Sequence, residues 1–375
     1  MAVKYLAGER IIGTAAERIA MSLEGAPPQT SWKELARYTL TSAATSIRVG
    51  TGTQTGSGGG TGSFTAKDNL MVLMYYPNLG SGNSASPNLT FNDDEGSSSN
   101  NYSNKRNFNG GYENAVGSED FLQDLWNSGQ ADTFVYMFIK NHDGAEKLTL
   151  THSATGGSVA GDTTSCEGGE HSGKWANNAQ VVNLKMTTSA LYASGSEIIV
   201  LGMDDDEADS GTNFWQELEY KTLGGTNGTM QTDVFTAKKY LMVDMFLRQV
   251  TNQSTITTCF NDDFEDSSQT NYSSNNHEDG AALDDRDNVQ GIYAPEDNDD
   301  WNFFNLFIAN RSGREKILYM HNNFSATGNN APHRTEYYGK WQTTSGQITK
   351  IGIHKHDGST MPIDGDSIIR VWGGE

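Results

Sequence analysis

The sequence predicts an all-β protein built as two tandem antiparallel β-sandwiches of jelly-roll type, preceded by a short helical arm. Three observations carry that expectation. The chain repeats itself after about 170 residues, a period too long for a solenoid repeat and suited to a whole domain. Its apolar residues come in short runs punctuated by Gly, Ser, Asn and Asp instead of at helical spacing. A length of 375 residues is enough for two domains that each bury a core.

The repeat is read from motifs in matching order. Trp32-Lys33-Glu34-Leu35 returns as Trp215-Gln216-Glu217-Leu218, and Phe64-Thr65-Ala66-Lys67 returns unchanged as Phe235-Thr236-Ala237-Lys238. Phe91-Asn92-Asp93-Asp94 recurs at Phe260-Asn261-Asp262-Asp263, and Asn101-Tyr102-Ser103 at Asn271-Tyr272-Ser273. Glu146-Lys147, His152 and Gly173-Lys174-Trp175 return as Glu315-Lys316, His321 and Gly339-Lys340-Trp341.

In chain order, residues 1–29 read as the arm. Tyr5, Ile12, Ala16 and Ile19 fall along one helical face, and Pro27-Pro28 ends it. Residues 30–203 form the first sandwich, with strands expected over 34–40, 46–49, 69–76, 88–92, 133–140, 146–151, 180–186 and 196–201. The stretches 70–76 and 134–139 are apolar at every position, as strands covered on both faces are. Residues 204–212 are an acidic, solvated linker, and 213–375 are the second sandwich. About eight strands per unit with long connections suit a jelly roll better than an up-and-down barrel. The stretches 50–62, 104–130 and 275–300 differ most between the copies and read as loops, the usual place for binding residues on a rigid sandwich.

A net charge of −21 without Lys/Arg clusters excludes the phosphate backbone of nucleic acid as a partner. No apolar stretch is long enough to insert in a membrane, and the charged N-terminus is not a signal peptide. Cys166 and Cys259 sit at non-equivalent points of the repeat and read as free thiols.

Among candidate sites, Asp93, Asp94, Asp262 and Asp263 offer hard oxygen ligands of the kind calcium takes; the competing reading is that these residues cap the strand end. No other cofactor is expected. Tyr293 and Trp301, beside an Asp-rich stretch, are candidate glycan contacts. His152 and His321 read as structural, because no nucleophile or base recurs with them. Trp175 and Trp341 read as core anchors, with sugar stacking as the alternative. No Gly-x-Ser-x-Gly, His-Glu-x-x-His or Walker pattern is present, and no catalytic residue is assigned.

The repeated motifs, together with the opening Met1-Ala2-Val3-Lys4-Tyr5-Leu6-Ala7-Gly8 and the closing Ser196-Glu197-Ile198-Ile199-Val200-Leu201-Gly202 of the first copy, resemble those of tandem β-module structural proteins of marine tailed viruses. The first copy departs at Cys166-Glu167-Gly168-Gly169, where the second has Asn329-Asn330-Ala331-Pro332, so this stretch reads as specialised. The resemblance implies a non-enzymatic virion component made in the host cytoplasm: a decoration, fibre or appendage protein. Its expected partners are further copies of itself, as a trimer or pentamer, other virion proteins, and a host-surface glycan. A double jelly-roll major capsid protein and a tail-associated polysaccharide depolymerase are the alternatives.

Overall fold

The computed structural model describes residues 32–51, 54–55, 59–60, 62–77, 87–95, 101–108, 114–122, 132–156, 166–204, 213–223, 230–248, 256–263, 271–278, 284–289, 291–294, 301–324, 333–355, 363 and 367–375. The expected arm, 1–29, lies outside these residues, as does all but Asp204 of the expected linker. Among the described residues every regular element is a strand.

The first half contains β1 (Lys33–Thr39), β2 (Ala44–Val49), β3 (Gln54–Thr55), β4 (Gly59–Gly60), β5 (Asn69–Tyr76), β6 (Asn88–Phe91) and β7 (Tyr102–Phe108). It continues with β8 (Asn114–Glu119), β9 (Thr133–Lys140), β10 (Lys147–Thr155), β11 (Glu167–Trp175), β12 (Leu184–Tyr192) and β13 (Glu197–Met203). The second half contains β14 (Gln216–Thr222), β15 (Met230–Gln231), β16 (Tyr240–Arg248), β17 (Ile256–Phe260), β18 (Tyr272–Glu278) and β19 (Asp284–Val289). It ends with β20 (Ile292–Ala294), β21 (Trp301–Ala309), β22 (Lys316–Phe324), β23 (His333–Trp341), β24 (Ile351–Lys355) and β25 (Ile368–Gly374).

Each half folds as a sandwich of one eight-stranded and one smaller sheet, and among the described residues no sheet mixes strands from both halves. The large sheets run β1-β13-β5-β9-β10-β11-β7-β8 and β14-β25-β16-β21-β22-β23-β18-β19, the same order twice. The small sheets run β3-β4-β2-β12-β6 and β15-β24-β17-β20. The chain passes back and forth between layers, and the first and last strands of each half pair as neighbours, the connectivity of a jelly roll. Pairing is antiparallel except for one parallel bridge, Arg48 to Gly59.

All three expected variable loops contain strands, 50–62 holding the two-residue β3 and β4. Residues 104–130 hold most of β7 and all of β8, and 275–300 hold the end of β18 with β19 and β20. The cause is composition: strands such as Tyr102–Phe108 are polar, so they carry no apolar run to read, yet they extend the ladder beyond β11.

The two-faced apolar strands explain how the halves meet. In β5, Leu70, Val72, Met74 and Tyr76 point into the first sandwich, while Met71, Leu73 and Tyr75 point the other way. In β9, Val135, Met137 and Ile139 face inward and Phe134 and Tyr136 outward. Those outward residues form a third core with Trp215, Tyr240, Met242, Phe307, Ile317, Tyr319 and Trp372 of the second half. The large sheets therefore pack face to face, with a small sheet on each outer side. Strands meet their repeat counterparts across this seam, β9 against β21 and β10 against β22. The run is antiparallel, since a Cβ on Gly156 would lie 3.0 Å from Ile317 Cδ1 while the His152 and His321 rings sit 4.8 Å apart. The halves are thus related as the two sides of an isologous contact, within one chain.

Candidate functional site

The Phe-Asn-Asp-Asp corner is built on the same plan in both sandwiches, apart from the cation that meets its first aspartate. Asn92 and Asn261 have φ of 54° and 53°, a left-handed conformation that Asn tolerates at turns. Their Nδ2 groups donate to Gln180 O and Gln347 O, 2.8 Å each, and their Oδ1 atoms accept from Val182 N at 2.9 Å and Thr349 N at 2.8 Å. Asp94 accepts from Trp175 Nε1 at 2.7 Å and Asn101 Nδ2 at 3.1 Å. Asp263 accepts from Trp341 Nε1 at 2.6 Å and Asn271 Nδ2 at 3.1 Å. Asp93 is paired with Arg48 at 2.8 Å, whose hydrogen bond lowers its pKa; Asp262 is paired with Lys350 at 2.6 Å.

These four carboxylates, the calcium candidates of the sequence, thus face cations and N–H donors. A calcium ion needs six to eight oxygen ligands, and this donor set does not fit one. The tyrosine of the following Asn-Tyr-Ser closes the corner, since Tyr102 OH accepts from Phe91 N and Tyr272 OH from Phe260 N, at 2.9 and 2.8 Å. Trp175 and Trp341 are 1% and 3% exposed, which leaves no face for a sugar to stack on.

The backbones of Tyr293 and Trp301, the glycan candidates, fall in different sheets. Tyr293 pairs with Thr257 in the small sheet, and Trp301 opens β21 in the large one, opposite Arg248. Their side chains lie outside the described residues. Cys166 and Cys259 are buried thiols outside any disulfide, and burial pushes the Cys259 thiol up.

The seam holds the polar clusters. Glu197, 2% exposed, accepts from Arg311 Nη1 at 2.6 Å, Tyr240 OH at 3.0 Å and Thr39 Oγ1 at 2.8 Å. Burial acts to raise its pKa, but Arg311, Thr39 and Arg37 outweigh it and the net shift is downward. Tyr75 OH donates to Asp132 at 2.5 Å, and Arg314 approaches the same carboxylate at 3.7 Å.

At the centre of the seam the two repeat-equivalent histidines meet edge to face, with ring planes at 89°. Each has a glutamate directly across its ladder: His152 opposite Glu170 on β11, His321 opposite Glu336 on β23. His152 Nδ1 lies 3.4 Å from Glu170 Oε1; His321 Nε2 lies 3.8 Å from the same oxygen and 3.6 Å from Glu336 Oε1. Tyr319 OH donates to Glu170 at 3.0 Å and sits 2.6 Å from His321 Nε2. The sequence showed the two histidines as a pair but not the glutamates, because β11 and its polar Gly-rich sequence carry no strand signal.

The stretch that sets the first copy apart belongs to this seam. Cys166 is buried in the aromatic core, its Sγ 3.6 Å from Ser273 O of the other half. A Cβ on Gly168 would overlap the Tyr338 ring, so only glycine lets β11 approach β23 this closely.

No family model matches the chain, and no curated protein matches it. Among solved structures, domains LG4-5 of the mouse laminin alpha1 chain are similar over 92% of this chain and 91% of that one, at 9% identity. The TM-score of 0.17 is too low for this likeness to carry an argument.

Proposed function

We propose that the chain is a non-enzymatic structural protein of a virion, a decoration, fibre or appendage component, as the motif resemblance implies. The observation that supports this reading is the use to which the repeated polar residues are put. Asn92, Asp94, Tyr102 and Trp175, with their counterparts Asn261, Asp263, Tyr272 and Trp341, bond one another and the backbone at sheet corners. Asn141 and Asn310 do the same, accepting from Val181 N at 2.6 Å and Ile348 N at 2.7 Å. Lys147 and Lys316 point their ammonium groups at backbone carbonyls, His142 O at 2.8 Å and Thr343 O at 2.9 Å. Duplication has preserved a scaffold, and a face-to-face aromatic seam makes a rigid block of two such scaffolds.

On this reading the block assembles with further copies, as a trimer or pentamer, and with other virion proteins. Leu148 and Leu150, 58% and 55% exposed beside a cavity of about 450 Å³ lined by Trp32, Phe138 and Met203, offer apolar surface for assembly. A glycan contact at Tyr293 and Trp301 is the adhesive part of the proposal. Light scattering of the purified chain, with protein mass spectrometry of purified particles, tests the reading. A defined oligomer present in fixed copy number is expected; a monomer missing from particles refutes it. Binding on a glycan array that is lost in a Tyr293→Ala, Trp301→Ala variant supports adhesion, and unchanged binding removes those residues from it.

A further inference from the structure

We infer that His152, His321 and Glu170 form a divalent transition-metal site, with Glu336 placed to supply a fourth ligand, that clasps the two sandwiches at the centre of their seam. The geometry is the first support. One ligand atom from each of His152, Glu170 and His321 lies within 4.8 Å of the others. Ligands bound to zinc at bond lengths near 2.1 Å in a tetrahedron stand ~3.4 Å apart. Those from Glu170 Oε1 to the two histidine nitrogens, 3.4 and 3.8 Å, are near this spacing, and the histidine nitrogens, within 4.8 Å of each other, must close up by side-chain adjustment.

Ligand chemistry is the second support. Two imidazoles with carboxylates suit zinc and its first-row neighbours, whereas calcium and magnesium prefer all-oxygen sets. Placement is the third. The ligands come from four strands, β10 and β11 of one sandwich and β22 and β23 of the other, and each histidine faces its own glutamate across a ladder. The ligand set is therefore complete only when the two halves are docked. Histidine side chains at 13% and 31% exposure and Glu170 at 28% leave an entry path for the ion. Tyr319 OH lies 2.6 Å from His321 Nε2 and 3.0 Å from Glu170; metal binding takes over that nitrogen and leaves the hydroxyl to orient the carboxylate.

This inference is independent of the virion reading. The test is titration of the chelator-treated full chain with Zn²⁺ by calorimetry, with Co²⁺ absorption as a second readout. One ion per chain, tetrahedral Co²⁺ bands and a thermal midpoint raised by Zn²⁺ are expected. Replacing both histidines, His152→Gln with His321→Gln, should abolish stoichiometric binding. The near-isosteric Glu170→Gln should weaken it by at least the roughly 10–100-fold that follows loss of an outer-shell partner. Circular dichroism establishes that the variants are folded, and Glu170→Gln keeps the test readable if the double variant is not. Failure of the native chain to take up one ion, or equal affinity in a folded variant lacking ligands, overturns the site.

Discussion

Glu197 of the first sandwich and Arg311 of the second form an ion pair across the seam, Oε1 to Nη1 at 2.6 Å, with Tyr240 donating to the same oxygen. The pair has no repeat counterpart, since His142 stands in the first copy where Arg311 stands in the second. The Arg311 guanidinium also lies over the Tyr75 ring at 4.9 Å, joining the polar contact to the aromatic core.

Removing Arg311 takes the nearest cation from buried Glu197, which keeps Thr39, Tyr240 and, at 3.7 Å, Arg37. Arg311→Ala should lower unfolding stability by about 1.5–3 kcal/mol, measured by urea denaturation. Lys221→Ala, on a lysine paired with exposed Asp233, should cost less than 1 kcal/mol by the ordinary behaviour of surface pairs. Equal costs would mean that the seam pair carries no special share.

The acid limb of stability should have two parts. His354 is buried and neutral, its pKa pushed down to about 4 from an ordinary 6.5, mainly by burial. Its folded value is below its unfolded one, so its contribution is full above 6.5 and is lost as pH falls toward 4. Glu197, also lowered, contributes above 4.5 and loses that contribution as pH falls through its depressed folded value. Denaturation midpoints measured from pH 8 to 3 should flatten in the upper window for His354→Asn and in the lower one for Glu197→Gln.

Gly168 should tolerate no side chain. Gly168→Ala places a methyl group into the Tyr338 ring and should cost about 1–3 kcal/mol, the ordinary penalty for overpacking. Combining it with Tyr338→Ala should recover part of that loss, and a double-mutant cycle reads the coupling. Additive effects would place the two residues apart.

The corner carboxylates should act as acceptors and not as ion ligands. Asp94→Ala and Asp263→Ala each leave a buried indole N–H without its acceptor and should cost about 1–3 kcal/mol, nearly alike in the two sandwiches. Calcium added to the chelator-treated chain should leave the melting temperature unchanged. A calcium-dependent rise abolished by Asp93→Asn with Asp262→Asn would restore calcium to these corners.

Strands were legible where burial demanded apolar runs: each of the eight expected in the first half overlaps an observed one, most closely 69–76 and 133–140, least 180–186, which shares only 184–186 with β12. The apolar continuity of 70–76 and 134–139 also announced a covered second face, although nothing local says that the cover is the other sandwich. The three longer strands that escaped, β7, β8 and β11, lie side by side at the polar edge of the large sheet. Their ladder is held by backbone bonds, which any sequence supplies. The histidine and glutamate cluster was hidden for the same reason: Glu170 sits in Glu-Gly-Gly-Glu-His-Ser-Gly, a stretch without periodicity that becomes a strand only because β7 and β10 flank it. Repeat equivalence of His152 and His321 was readable, but their meeting depends on a two-fold docking that residue spacing does not encode.

Differential scanning calorimetry of the full chain tests the central claim, that the seam fuses two duplicated sandwiches into one cooperative block. A single transition, with calorimetric and van't Hoff enthalpies equal, is expected for the native chain. It should split in two when Arg311→Ala and Phe307→Ala are combined, because the sandwiches keep separate inner cores. Two independent transitions in the native chain, unchanged by those substitutions, would contradict it.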